Sequence, residues 1–246
     1  MAKIFQFDSG GTLTTNLVSY YRLEDVNDFY ASNNLTNNNT VSFSAAKINN
    51  GADFGTANTD KSLESTAAAI EGNFDGAAWS AAFWVKARTE IAASTYAFIS
   101  SESTENDNGV GVIYEYNGGT RRLKFQRTRY AVADDAINYN VTLGTANWYH
   151  IAITYDGTTV RAYVDNTEVG TVGSTGNGTL ATRDICTIGI NAAKSADSAS
   201  SVFIDELGIW SKKLSTTEIS DLYNSGNGQT MINPSGAIIM ASLATN

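Results

Sequence analysis

Residues 148–170, WYHIAITYDGTTVRAYVDNTEVG, constrain the fold more than any other stretch of the chain. Ile151, Ile153 and Tyr155 alternate with Ala152 and Thr154, the two-residue period of a strand with one buried face. Asp156-Gly157 supplies a turn, and Val160, Ala162 and Val164 then alternate with Arg161 and Tyr163 before Asp165-Asn166 turns the chain again. Two successive hairpins require an antiparallel sheet.

Near the other end, FIDELGIW (Phe203 to Trp210) reads as a strand and LSTTEISDLYNSG (Leu214 to Gly226) as a short helix. Ser215 and Glu218 have capping-box spacing, Ile219, Leu222 and Tyr223 fall at i, i+3 and i+4, and Gly226 stands where a helix would end.

These two segments, in this order, resemble the laminin G-like (concanavalin A-like) jelly-roll family. The W-x-H-[IV]-A-x-x-Y-D-G hairpin of that family is matched by Trp148, His150, Ile151, Ala152, Tyr155, Asp156 and Gly157. Its closing segment is matched by Ile204, Asp205, Glu206, Leu207, Ile209, Trp210, Leu214, Ser215, Glu218 and Ile219. LVSYYRLED (Leu17 to Asp25) resembles the opening strand and WSAAFWVKA (Trp79 to Ala87) a central one. The resemblance implies an all-β, two-sheet antiparallel jelly-roll sandwich with one short C-terminal helix. It covers residues 17–226, leaving an N-terminal arm at 1–16 and a C-terminal tail at 227–246. Trp79, Trp84, Trp148 and Trp210 lie on framework strands and are expected in the core.

Composition agrees with one large sandwich: 246 residues can enclose a sizeable core, and 21 Gly against 1 Pro punctuate short β-rich runs. A net charge of −9 argues against a nucleic-acid surface, which needs clustered cations to displace counterions. The basic run Arg121, Arg122, Lys124, Arg127 and Arg129 reads as a solvated strand face or a local anion or sugar patch. The lone Cys186 excludes an internal disulfide and, beside Ile185 and Ile188, is expected to be a buried thiol. No leader is visible in MAKIFQFDSG, and no apolar run approaches the ~20 residues that span a bilayer. Residues 109–133 read as a hairpin about Asn117-Gly118-Gly119, whereas residues 27–40 and 51–61 read as long polar loops.

Four functions are weighed. Laminarinase-type enzymes of this fold set carboxylates on one strand as E-x-D-x-x-E or E-x-D-x-E, because a retaining acid and nucleophile must stand about 5 Å apart on one face. That pattern is absent; Glu24-Asp25, Asp134-Asp135 and Asp205-Glu206 are adjacent and would point to opposite faces. His150, the only histidine, sits in a framework strand, and no G-x-S-x-G elbow occurs. The chain is therefore read as non-enzymatic. Calcium is the second reading: relatives hold the ion with the loop after the first strand and the closing-strand Asp, which implies Asp28 with Asn33 or Asn34, and Asp205, here, although the loop lacks the usual glycines.

The third reading is glycan or surface-receptor binding, with Tyr114, Tyr116, Arg127, Arg129 and Tyr130 as the candidate mixture of aromatic platforms and polar groups. The fourth is a purely structural decoration subunit held by neighbours, or by copies of itself in a homo-oligomer, through its arms. The sequence is read as a non-catalytic recognition or adhesion module displayed on a phage virion or microbial surface, with the structural subunit as alternative and a glycosidase ranked below both. No nucleic-acid partner and no membrane insertion are expected.

Overall fold

The computed structural model describes residues 12–56, 60–75, 77–89, 94–103, 106–128, 135–174, 185–190 and 201–231. Among the described residues, fifteen strands form two antiparallel sheets. The first runs β13 (Thr167–Gly173), β12 (Thr159–Val164), β11 (Tyr149–Tyr155), β6 (Trp79–Ala87), β15 (Val202–Trp210), β4 (Asn50–Asp53), β3 (Ser42–Ala45), with β1 (Leu17–Tyr21) also paired to β15. The second runs β10 (Asp135–Asn140), β9 (Thr120–Thr128), β8 (Asn106–Asn117), β7 (Ser94–Ser103), β14 (Ile185–Ile188), β5 (Ser62–Ser65), β2 (Thr36–Asn38).

Alternation fixes which side chains meet between the sheets. Trp79, Ala81, Phe83 and Val85 of β6 share the inner face with Ile151, Ile153 and Tyr155 of β11 and with Ile204, Leu207 and Ile209 of β15. Opposite them, Val110, Val112 and Tyr114 of β8 pack with Leu123 and Phe125 of β9. A one-residue slip would expose either set, so register is strongly specified. The turns read from the sequence form: Gly118 and Gly119 have φ of 58° and 85°, Gly157 has 94°, and Asp165 and Asn166 adopt 48° and 65° in a tight hairpin. Cys186 is buried.

The outer face of the first sheet carries a second core. Leu13, Leu17, Tyr20, Ala82, Ala152, Tyr163, Trp210, Leu214, Ile219, Leu222 and Met231 pack there beneath helix α2 (Thr216–Tyr223). Small side chains at Ala82 and Ala152 let the helix approach the sheet. Its capping box forms as expected, Ser215 Oγ accepting from the Glu218 amide while the Glu218 side chain accepts from the Ser215 amide. The helix ends at Asn224 in the left-handed region, two residues before the anticipated Gly226.

Residues 12–16 and 227–231 also pack on this face: Trp210 Nε1 donates to Leu13 O at 2.6 Å, and the Met231 amide donates to the Tyr20 hydroxyl at 3.1 Å. The packed unit thus extends beyond 17–226 at both ends; the remainder of both arms lies outside the described residues. Within the supposed loops, β2 adds an edge strand and β4 pairs between β15 and β3, and a short helix α1 (Ala68–Glu71), too brief for a periodic signal, precedes β6. Among the described residues, no helix is long and apolar enough to cross a membrane.

Candidate functional site

The predicted aromatic and cationic residues do not come together. Tyr114 is wholly buried between the sheets, its ring stacked on Phe98 at 6.3 Å and its hydroxyl donating to Val141 O at 3.1 Å. Arg127 follows Leu123 and Phe125 on the same inner face. It is 3 % exposed, lies 4.6 Å over the Tyr155 ring, faces Asp135 at 3.8 Å and donates to Ser174 Oγ. Both expectations are corrected: strand period alone does not say which face is wet, and these two point inward. Tyr116, at the exposed hairpin tip, is 38 % exposed with Arg121 stacked 5.1 Å over it. Arg129 and Tyr130 lie outside the described residues.

The expected calcium ligands divide into two places. Asp28 Oδ1 accepts the amides of Tyr20, Tyr30 and Ala31, and its Oδ2 accepts that of Asn33. Asn34 Oδ1 accepts the Asp28 amide, closing an Asx-type loop. Asp205 instead faces the turn between β3 and β4, where its Oδ2 accepts the Ile48 amide at 2.8 Å while Oδ1 has no partner. Burial pushes its carboxyl up to about 8. Among the described residues no cluster of three acidic, histidine or cysteine side chains could hold a metal. Asp28 and Asn34 are engaged by backbone amides of their own loop, whereas Asp205 Oδ1 is unpartnered.

A bulge after Asp205, with Glu206 at φ 55°, corrects the expectation that this carboxylate pair straddles the strand. It turns Glu206 toward the same outer face, where Glu206 accepts from the hydroxyls of Tyr20 and Thr230, and burial raises its carboxyl well above the usual range. Asp205 and Glu206 are 0 % and 7 % exposed, closed over by turn and tail.

Beside Asp205, Trp84 and His150 are cross-strand neighbours, and Tyr223 of α2 stacks on Trp84 at 5.9 Å. Lys47 Nζ sits 4.3 Å over Trp84 and donates to Gly226 O. Burial and the Lys47 charge hold the His150 imidazole down to about 3, so it stays neutral. This stack clamps α2 and the β3–β4 turn onto the sheet, the structural role expected for His150.

One row further along the outer face the surface is open. Register sets Lys86 of β6 beside Phe203 of β15, Phe203 beside Asp53 of β4, and Asp53 beside Ser42 of β3; Trp148, just before β11, completes the row. The Trp148 and Phe203 rings stand 6.3 Å apart at 55°, with Lys86 Nζ 5.2 Å and 5.0 Å from their centroids. Arg88 lies 5.5 Å over Phe203 and pairs with Asp53. Trp148, Phe203 and Lys86 are half-buried and Arg88 exposed, whereas Trp79, Trp84 and Trp210 are enclosed. Trp148 is thus not core as anticipated. Sequence reasoning missed this site because its residues come from positions 53, 86, 88, 148 and 203, and only pairing aligns them.

Known proteins share this architecture. Botulinum neurotoxin type C, whose cell entry is described as dependent upon interaction with two ganglioside molecules, superposes with a TM-score of 0.70 at 15 % identity, covering 88 % of this chain and 53 % of that one. The binding domain of botulinum neurotoxin DC in complex with rat synaptotagmin II gives 0.68 at 15 %, covering 87 % and 52 %. Domain 4 of AbnA, a GH43 extracellular arabinanase from Geobacillus stearothermophilus, in complex with arabinotriose, gives 0.60 at 16 %, covering 87 % and 98 %. The chain spans about half the length of these toxin structures and nearly all of the arabinanase domain. No curated protein matches the sequence. A laminin G family profile matches residues 58–220, more than half of the chain, and with the two-sheet topology this shows that the protein belongs to the concanavalin A-like lectin/glucanases superfamily.

Proposed function

We propose that this protein is a non-catalytic recognition module that binds a glycan or another surface ligand. The observation that carries the reading is the open outer-face row, in which the one accessible tryptophan of four and a second aromatic ring flank a cation. Sugar sites use this combination, apolar ring faces for C–H surfaces and a few fixed polar groups for orientation. Support comes from the similar structures described with gangliosides, rat synaptotagmin II and arabinotriose. Against catalysis stands the enclosure of Asp205 and Glu206. Display on a virion or microbial surface is the setting we propose for such a module.

Calcium enters this proposal through Asp205, whose Oδ1 is unpartnered. The test is a panel of saccharides offered to the full chain with calcium and with chelator, followed by assay for new reducing ends. Binding without hydrolysis is expected. Release of reducing ends would overturn the non-catalytic reading, and a stable oligomer that binds no saccharide would favour the structural subunit.

A further inference from the structure

We infer that the row Trp148–Lys86–Phe203 seats a carboxylate-bearing sugar ring, a uronate or sialic acid residue of an acidic glycan; the inference rests on the recognition reading above and names its ligand class. The chain carries a net charge of −9, yet the rim of this row gathers Lys61, Lys86 and Arg88, with Asp53 as the carboxylate at their centre among the described residues. That carboxylate is already engaged: it pairs with Arg88 and accepts the Gly55 amide at 2.9 Å. Lys61 Nζ reaches the same corner, 3.4 Å from where a Cβ on Gly55 would stand.

Lys86 makes no ion pair with any described carboxylate, and among the described residues only the two aromatic rings hold its ammonium in place. A sugar ring laid on Trp148 or Phe203 would present its C–H face to the aromatic surface and its carboxylate to Lys86, with Lys61 adding attraction from one end while Arg88 is held by Asp53. A bare inorganic anion would use the cations and leave the rings idle. A neutral sugar would use the rings and leave Lys86 without a counter-charge. An acidic saccharide employs both. The hairpin tip, where Tyr116 carries Arg121, is the weaker seat because it has one ring, and the neighbouring Arg122 is neutralised by Glu115.

The experiment titrates the full chain with 3′-sialyllactose, a hyaluronan hexasaccharide and lactose. Intrinsic fluorescence reads the site directly, because Trp79, Trp84 and Trp210 are buried and Trp148 is the emitter that a ligand can reach. At least one of the two acidic probes should bind and lactose should not, the responding probe distinguishing sialic acid from uronate. Affinity should weaken as salt is raised, since exposed charge pairs are screened beyond about 8 Å at physiological ionic strength.

By calorimetry, Lys86→Met, which keeps the apolar stem, should lose about tenfold in affinity, as expected for a hydrogen bond to a charged group. Lys86→Arg should restore most of it, and Tyr116→Ala should have no effect. Melting temperatures check that each variant is folded. Glycan binding that is indifferent to Lys86→Met and Trp148→Ala would overturn this seat and leave the recognition reading intact. Absence of binding to every saccharide, acidic or neutral, would overturn this seat and the glycan form of the recognition reading together.

Discussion

Replacing Asp205 by asparagine should change how stability depends on pH. Buried with one bonded and one unpartnered oxygen, Asp205 has its pKa raised to about 8, against about 3.9 in an unfolded chain. Between these values the folded protein keeps the proton and the unfolded chain releases it, so stability is full below about pH 4 and falls as pH rises toward 8. The slope for one group is about 1.4 kcal/mol per pH unit, or about 2–3 kcal/mol between pH 5 and pH 7. The substituted carboxamide would still accept the Ile48 amide but carries no titrating proton. Urea unfolding of wild type and Asp205→Asn at both pH values reads the difference. The wild-type loss should exceed the variant's by about that amount, while Glu206 contributes equally to both and cancels. Parallel profiles, with the variant less stable throughout, would refute the reasoning and show that Lys47 or a bound cation keeps Asp205 ionised. Repeating the pair with calcium and with chelator separates those two causes.

Other substitutions probe the frame. Gly189→Ala places a Cβ 2.2 Å from a ring carbon of buried Phe54 at φ 89°, and should cost about 2–4 kcal/mol in denaturant unfolding. Removing the helix cap with Ser215→Ala should cost about 1 kcal/mol and lower the melting temperature without altering ligand affinity. Tyr114→Phe leaves the Val141 carbonyl and the Leu143 amide without the hydroxyl and should destabilise by about 1–3 kcal/mol, whereas Tyr116→Ala should stay within about 0.5 kcal/mol. Equal effects at 114 and 116 would mean that the two tyrosines share an exposed face after all.

The sandwich was legible because its signals are local. Alternation between Ile151 and Tyr155, the Asp156-Gly157 turn and the Ser215–Glu218 box each act within a few residues, and each forms as read. The site was not legible in the same way. Tyr114 and Tyr116 share a period, yet one lies in the core and the other at a hairpin tip, because burial depends on where the opposite sheet ends. Glu206 follows Asp205 in sequence and would normally face away, but a bulge at positive φ reverses that inference. Trp148 looks like a framework tryptophan by motif. It falls one residue before β11, at the margin of the sheet, where Lys86 and Phe203 meet it only through strand pairing.

The claim that this sandwich recognises a glycan through its outer-face row is tested most directly by an immobilised saccharide array probed in parallel with wild type and Trp148→Ala, each with calcium and with chelator. Wild type should bind a set of saccharides enriched in carboxylate-bearing sugars, and Trp148→Ala should lose them while remaining folded. An array silent to wild type, or one on which both proteins bind alike, would contradict it.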